Sequence, residues 1–214
     1  MYKKGLLIVG LVGMIISSCV EHEVIPAPVP QVDLYSHFSA IIGGSTIEFT
    51  ENVLGYANSS SPSLFISPQG TNSTAVYYST MSSPTETPSA SVGSGSVYFD
   101  GSNNTTPSLP EFNNFFSSPS NQIPNYSDFL VNGDTGFNFS YTDGNGRVWT
   151  SSQNSTYALQ NAEYVEMKQE SDNTGDYSLF TCDFTCYIYS IDPVLLTLDS
   201  LLVQQGVYEG WYKK

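Results

Sequence analysis

One segment near the end of the chain, SLFTCDFTCYIYS, limits the fold more than any other. Side chains along a β-strand point alternately to its two faces, so alternating apolar and polar residues predict a strand with one face in the core. The apolar face contains Phe180, Cys182, Phe184, Cys186 and Ile188. Four residues along a strand span about 13 Å, whereas a disulfide requires a Cα separation below about 7 Å. The pattern therefore predicts a half-buried strand with two unreactive thiols that do not pair with each other.

A metal or redox site is the alternative for the Cys-x3-Cys spacing of this segment. Such a site needs a turn or a helix and further ligands near the thiols. His22 and His37 are the only histidines of the chain, and both lie far from these cysteines in the sequence. His22 stands between Glu21 and Glu23, but this group has no further ligands nearby in the sequence. We therefore predict no metal site and no cofactor.

Other segments carry the β-branched and aromatic residues, broken by turn residues, that are typical of strands. Residues 37–56 predict two strands joined at Gly43-Gly44, and residues 74–81 and 95–101 predict two more. The Ser-, Pro- and Gly-rich run 82–96 predicts a mobile loop. The run PVLLTLDSLLV, residues 193–203, fits a helix or a strand by its spacing. We interpret it as a strand because it leads into the last strand of the chain.

The clearest hairpin lies in GFNFSYTDGNGRVWTSS, residues 136–152. Its apolar face carries Phe137, Phe139 and Tyr141. The run Asp143–Gly146 provides residues that tolerate positive φ at the reversal. A calcium loop is the functional alternative, but it needs oxygen ligands at several alternating positions, whereas Arg147 follows the glycines directly. We therefore predict a plain turn.

Together these patterns predict an all-β fold, a single antiparallel β-sandwich or barrel-like domain with at most one short helix. The helix is predicted in SLPEFNNFF, where apolar residues recur at positions 109, 112, 115 and 116. The domain is predicted to span residues 32–214, a length sufficient for one hydrophobic core.

The charge of the chain limits the partners that it can bind. The net charge is −14, and no Lys or Arg occurs between Cys19 and Gly146. A basic patch that could neutralise phosphates is therefore not expected, and nucleic acid is excluded as a partner on this ground. The same argument disfavours electrostatic docking on anionic lipid headgroups.

The N-terminal residues predict a secretion signal. Lys3 and Lys4 precede the apolar run Gly5–Ile16, whose 12 residues fall short of the roughly 20 that span a bilayer. Ile16-Ser17-Ser18-Cys19 resembles the bacterial lipobox, in which the cysteine receives a diacylglyceryl group and becomes the new, acylated N-terminus. The resemblance implies that residues 1–18 are removed and that Cys19 carries the lipid. Three acyl chains would make such an anchor effectively permanent.

The residues after Cys19 predict where the anchored protein faces. Glu21 and Glu23 resemble the acidic export tag that sends lipoproteins of the Bacteroidota to the outer face of the outer membrane. The run VIPAPVPQ then alternates Pro26, Pro28 and Pro30, which favours an extended polyproline conformation. Residues 19–31 are therefore predicted to be a tether between the lipid and the domain.

Four segments in order, FSAIIGG, FNFSYTDGNGRVWTSS, FTCDFTCYIYS and GVYEGWYKK, resemble a group of small β-rich outer-membrane lipoproteins from flavobacteria and related Bacteroidota. Chains of that group pair an F-x-A-x-x-x-G opening with a Y-T-D-x-x-G-x-x-W hairpin and an aromatic-Gly-aromatic last strand. The resemblance implies a location and a fold type, and it implies no activity.

Three functional classes are compatible with the sequence. The favoured one is a non-catalytic surface lipoprotein that binds a glycan or an outer-membrane protein. The alternatives are a lipocalin-like carrier of an apolar ligand and a carbohydrate-active enzyme with paired carboxylates. Trp149 and Trp211 are the candidates for stacking on a glycan, although core packing is the favoured role of each. No catalytic residue is assigned.

Overall fold

Ten strands and one helix lie in the part of the chain that the computed structural model describes, residues 31–67, 72–117, 136–151 and 161–214. In chain order they are β1 (His37–Ile42), β2 (Ser45–Thr50), β3 (Ala57–Phe65), β4 (Ser73–Ser82), β5 (Ser89–Phe99), α1 (Leu109–Phe116), β6 (Gly136–Thr142), β7 (Val148–Thr150), β8 (Asn161–Asp172), β9 (Gly175–Ile191) and β10 (Leu198–Lys213). Residues 1–30, which include the predicted signal and Cys19, lie outside the described residues.

The strands form a single antiparallel sheet that curls into a half-barrel. Their order is β2-β1-β10-β9-β7-β6-β5-β4-β3, and β8 pairs with the first part of β9. The prediction of an all-β, barrel-like domain with one short helix is confirmed. No helix in the described part of the chain is long and apolar enough to cross a membrane.

The curl brings β3 and β4 against β10. The Tyr208 hydroxyl on β10 donates to Asn58 Oδ1 on β3 at 3.2 Å, and the backbone N–H of Lys213 donates to Ser60 Oγ at 2.9 Å. At Gly210 the approach is closest, since a Cβ there would lie 2.8 Å from Ser79 Oγ on β4. These side-chain contacts join strands that are far apart in the sheet order.

Aromatic rings fill the interior of the half-barrel. Tyr212 stacks on Phe180 with a centroid distance of 4.4 Å and on Phe116 of α1 at 4.9 Å. Phe139 and Phe184 lie 4.7 Å apart further along the core. Burial of such large side chains, together with ring contacts worth about 0.5–1.5 kcal/mol each, stabilises the curled sheet.

Helix α1 covers part of this core with one face. Ser108 caps it, because its hydroxyl accepts from the Glu111 N–H while the Glu111 carboxylate accepts from the Ser108 N–H, a capping box. Phe112 and Phe116 are fully buried, and the Gln169 amide of β8 donates to the Phe116 carbonyl at 2.8 Å. The predicted helical turn is therefore confirmed.

Two predicted hairpins are also confirmed. The β1–β2 reversal uses Gly43 at φ 57° and Gly44 at φ 88°, conformations that favour glycine. The β6–β7 turn spans Asp143–Arg147, and the Asp143 carboxylate accepts from the N–H groups of Asn145 and Arg147. That carboxylate is thus used within its own turn.

Two sequence interpretations are wrong in part. The predicted loop 82–96 contains the first eight residues of β5, a strand that is paired on both sides. Residues 93–96 are buried, and at Gly95 no side chain would fit, since a Cβ there would lie 2.7 Å from Val76 Cγ2. The predicted strand 193–203 begins only at Leu198, since residues 193–197 form a turn.

The cysteine strand is confirmed as β9. All five residues of its apolar face are buried, and Cys182 and Cys186 are free thiols. Burial raises the pKa of both thiols, which keeps them in the unreactive protonated form.

We therefore expect neither Cys182 nor Cys186 to react with a thiol reagent at pH 8 until the protein unfolds, when both should react together. Cys182→Ala or Cys186→Ala should reduce the free energy of unfolding by about 1–2 kcal/mol, measured by urea denaturation. The double substitution by Val serves as the control and should leave the fold intact. Rapid modification of either thiol in the folded protein would contradict the assignment.

Candidate binding surface

The outer face of β8, β9 and β10 carries a concentration of carboxylates, and we call it the acidic face. Cross-strand pairing places Glu163 of β8 directly opposite Asp183 of β9. Two residues before Asp183 on β9, Thr181 pairs with Glu166 of β8 on one side and with Glu209 of β10 on the other. Like charges opposite one another on a sheet are destabilising, so this arrangement is not explained by folding.

Residues of the acidic face line two separate grooves on the outer side of β8, β9 and β10. The larger has a volume of about 480 Å³ and is lined by Glu166, Glu170 and Glu209, with Lys168 paired to Glu170. The smaller measures about 310 Å³ and includes Glu163, Asp183 and Gln205. Both are surface grooves with polar and apolar lining in nearly equal parts, whereas the interior of the sheet is filled by rings.

The segment that enters the domain before β1, residues 31–36, forms one wall of the larger groove through Asp33 and Tyr35. Its backbone is fixed at three points, one of which is the Ser36 carbonyl, which accepts from the Glu51 N–H at 3.1 Å. The N–H of Val32 donates to the Asp172 carboxylate at 2.9 Å, and the Leu34 carbonyl accepts from the Trp211 indole N–H at 3.1 Å. We call this segment the strap.

The Asp172 carboxylate remains ionised over a wide pH range. Hydrogen bonds from Thr174, then from the N–H of Val32, lower its pKa to about 2. A group with a lowered pKa holds its partners at every pH above that value and releases them only as the pH falls through it. The hydrogen bond from Val32 to Asp172 is therefore maintained at neutral and mildly acidic pH.

Trp211 lies on the outer side of β10, because Tyr208, Gly210 and Tyr212 are the residues of that strand that face the core. Its ring is partly exposed and makes an edge contact with Tyr177, at a centroid distance of 5.6 Å. The expectation that it packs into the core is wrong: Trp211 holds the strap, beside the larger groove.

Trp149 is buried with 6% of its surface exposed, so the expectation of core packing is confirmed there. The Arg147 guanidinium lies over the Trp149 ring, 4.3 Å from the centroid. The Trp149 indole N–H donates to Asp143 Oδ2 at 3.1 Å. With the ring covered in this way, the hypothesis of glycan stacking at Trp149 is withdrawn. Of the two aromatic residues that line the larger groove, Phe180 is buried, whereas Tyr35 is 50% exposed and was not singled out by sequence reasoning.

Trp149 lines neither groove. Cys19 lies outside the described residues. Within residues 31–67, 72–117, 136–151 and 161–214, no group of three or more His, Cys, Asp and Glu side chains has the arrangement of a metal site.

Comparison with known proteins gives no relative for this chain. No family model matches it, and neither the curated proteins nor the solved structures contain a match.

Proposed function

We propose that this protein is a non-catalytic binding module, attached to the outer membrane by lipid at Cys19 and exposed at the cell surface. The lipobox-like sequence Ile16–Cys19 and the acidic residues behind it support the location. Residues 20–30 would connect the lipid to the strap. The protein would thus work as an outer-membrane lipoprotein that presents its β domain to the medium.

We further propose that the larger groove of the acidic face binds a glycan. The observation that carries this proposal is the combination of an exposed ring, Tyr35, with outward-facing carboxylates in one groove. Carboxylate oxygens accept hydrogen bonds from sugar hydroxyls, and an aromatic ring packs against the apolar face of a sugar. A groove of about 480 Å³ has the volume of a small-ligand site.

The carrier alternative has less support. A carrier of an apolar ligand needs an open apolar cavity inside the barrel. Here Phe180, Tyr212 and Phe116 are stacked in the interior, where such a ligand would have to sit.

One observation favours the enzyme alternative enough to test it. Glu163 and Asp183 are directly opposite one another, and the Cβ atoms of such cross-strand neighbours lie about 5 Å apart, so their carboxyl groups can approach to the roughly 5–10 Å found between the two carboxyl groups of glycosidases. Both side chains are exposed, however, whereas glycosidic general acids work in sites shielded from water. Glycan hydrolysis by the wild-type chain that is lost in Glu163→Gln would establish this alternative.

The proposed anchor predicts that a fatty-acid probe fed to cells labels the wild-type chain and fails to label Cys19→Ala. Protease added to intact cells should digest the wild-type chain, because surface exposure makes the tether accessible. Label retained in Cys19→Ala would contradict lipidation. Protection in intact cells, with digestion after lysis, would place the protein on the periplasmic side.

The proposed glycan site predicts that Tyr35→Ala reduces glycan affinity by about fivefold, the effect of losing one ring contact of about 1 kcal/mol. Binding of the anchor-free chain to a glycan array identifies the ligand, and titration calorimetry then measures the variants. Tyr98→Ala is the matched control, because Tyr98 is a similarly exposed tyrosine, 54%, on β5. Equal binding by both variants, or no binding by the wild-type chain, would contradict the proposal.

A further inference from the structure

The turn between β9 and β10 exposes a group of large apolar side chains. The residues Pro193–Leu198 contain no charged residue, and we call them the apolar tip. Val194, Leu195 and Leu196 are 84%, 71% and 78% exposed. Single exposed apolar residues are ordinary on protein surfaces, but three consecutive ones at the end of a hairpin indicate a contact with an apolar medium or partner.

The apolar tip has a defined conformation. The Asp192 carboxylate accepts from the N–H groups of Val194 at 2.8 Å and Leu195 at 2.7 Å. The N–H of Leu196 donates to the Asp192 carbonyl at 2.9 Å, and the N–H of Asp192 donates to the Thr197 carbonyl at 2.8 Å. The leucine side chains are thus presented by a fixed backbone.

Leu196 adopts φ 54°, a left-handed conformation that glycine or asparagine would adopt with less strain. A turn that serves only to reverse the chain would therefore be more stable with a small or polar residue at this position. The strained and exposed leucine points to a role outside folding.

The backbone of the tip is suited to lipid. Hydrocarbon offers no hydrogen-bond partners, so buried N–H groups must be bonded within the protein, whereas backbone carbonyls at the headgroup boundary can still accept from water. From position 193 to position 196 every backbone donor is satisfied within the turn, since proline has none and the next three N–H groups bond to Asp192. The only charge of the turn, on Asp192, lies below the tip, where a headgroup region would solvate it.

The tip and the entry of the proposed tether lie at opposite ends of β10. The strap is bound at Asp172, beside the C-terminal end of β10. The tip ends at Leu198, which is the first residue of that strand. Sixteen residues of strand span about 50 Å. The 12 residues from Cys19 to Gln31 span at most about 40 Å, so lipid and tip reach one bilayer together when β10 lies inclined or along it.

We propose that the apolar tip inserts into the headgroup and acyl-chain boundary of the bilayer that carries the lipid anchor. This proposal rests on the proposed lipidation of Cys19, which supplies proximity to that bilayer. The two attachments together orient the domain on the membrane. Because the chain carries a net charge of −14, the tip prefers zwitterionic lipid to anionic lipid.

The test uses a fluorophore sensitive to polarity, attached to Leu195→Cys in the lipidated full chain, since the buried Cys182 and Cys186 do not compete for the label. In phosphatidylcholine vesicles we expect the emission to increase several-fold and to be quenched by nitroxide groups on the acyl chains. The control is Asn145→Cys in the exposed β6–β7 turn. Its label should show the same emission with vesicles as in buffer alone.

A label at position 195 whose emission is the same with vesicles as in buffer alone would overturn the proposal. An increase that requires native membranes and is absent in protein-free vesicles would overturn it as well, because the occupant would then be a membrane protein.

A second measurement separates the tip from the anchor. The Cys19→Ala chain, which lacks the acylation site, should still bind phosphatidylcholine vesicles at millimolar lipid, and should bind phosphatidylglycerol-rich vesicles less. Leu195→Ser combined with Leu196→Asn should reduce that binding by about tenfold without altering the fold, because both side chains are exposed. Unchanged binding would overturn the proposal. A wild-type chain that carries no fatty-acid label but still binds these vesicles, with binding lost in the double variant, would instead contradict lipidation alone.

Discussion

The long antiparallel ladder between β9 and β10 is the constraint on which the rest of the structure depends. It runs from Lys213 opposite Tyr177 to Leu198 opposite Ile191, and it supplies the rings that fill the interior. β10 also pairs with β1 and contacts β3 and β4 through side chains. Every other part of the sheet is therefore held, directly or through one neighbour, by these two strands. The acidic face, the strap and the apolar tip all lie on the same ladder or at its ends.

The filled interior directs the search for function to the outside of the sheet. The rings of Phe180 and Tyr212 are in contact in the interior, where a barrel-like carrier would hold its ligand. The candidate binding surfaces are therefore the two grooves of the outer face. The strap contributes to the larger groove and directly follows the predicted tether in the sequence. The apolar tip lies at the other end of β10, so the proposed lipid and tip contacts would control how the groove is presented.

The fold class, the cysteine strand and the β6–β7 hairpin could be predicted because their apolar residues alternate without interruption. β8 could not be, since a bulge between Tyr164 and Glu166 reverses which residues face the core. The first part of β5 was missed because close approach to β4 at Gly95 favours small residues such as Ser and Gly, which are typical of loops. The acidic face depends on the register of three strands, and the strap depends on a bond between Val32 and Asp172, 140 residues apart. Local patterns contain neither kind of information, so Tyr35 was not singled out.

Closure of the half-barrel by contact between β10 and β4 is the central claim, and Gly210→Ala tests it most directly. A methyl group there would lie 2.7 Å from Tyr208 Cε1 on β10 and 2.8 Å from Ser79 Oγ on β4, so these side chains or the two strands must shift. Gly144→Ala is the control, because nothing lies within 4 Å of its position. In urea denaturation we expect Gly210→Ala to lower the free energy of unfolding by about 2 kcal/mol, with faster hydrogen exchange in β3 and β4, and Gly144→Ala to change it by less than about 0.5 kcal/mol. Equal stability of the two variants, with unchanged exchange in β3 and β4, would contradict the account.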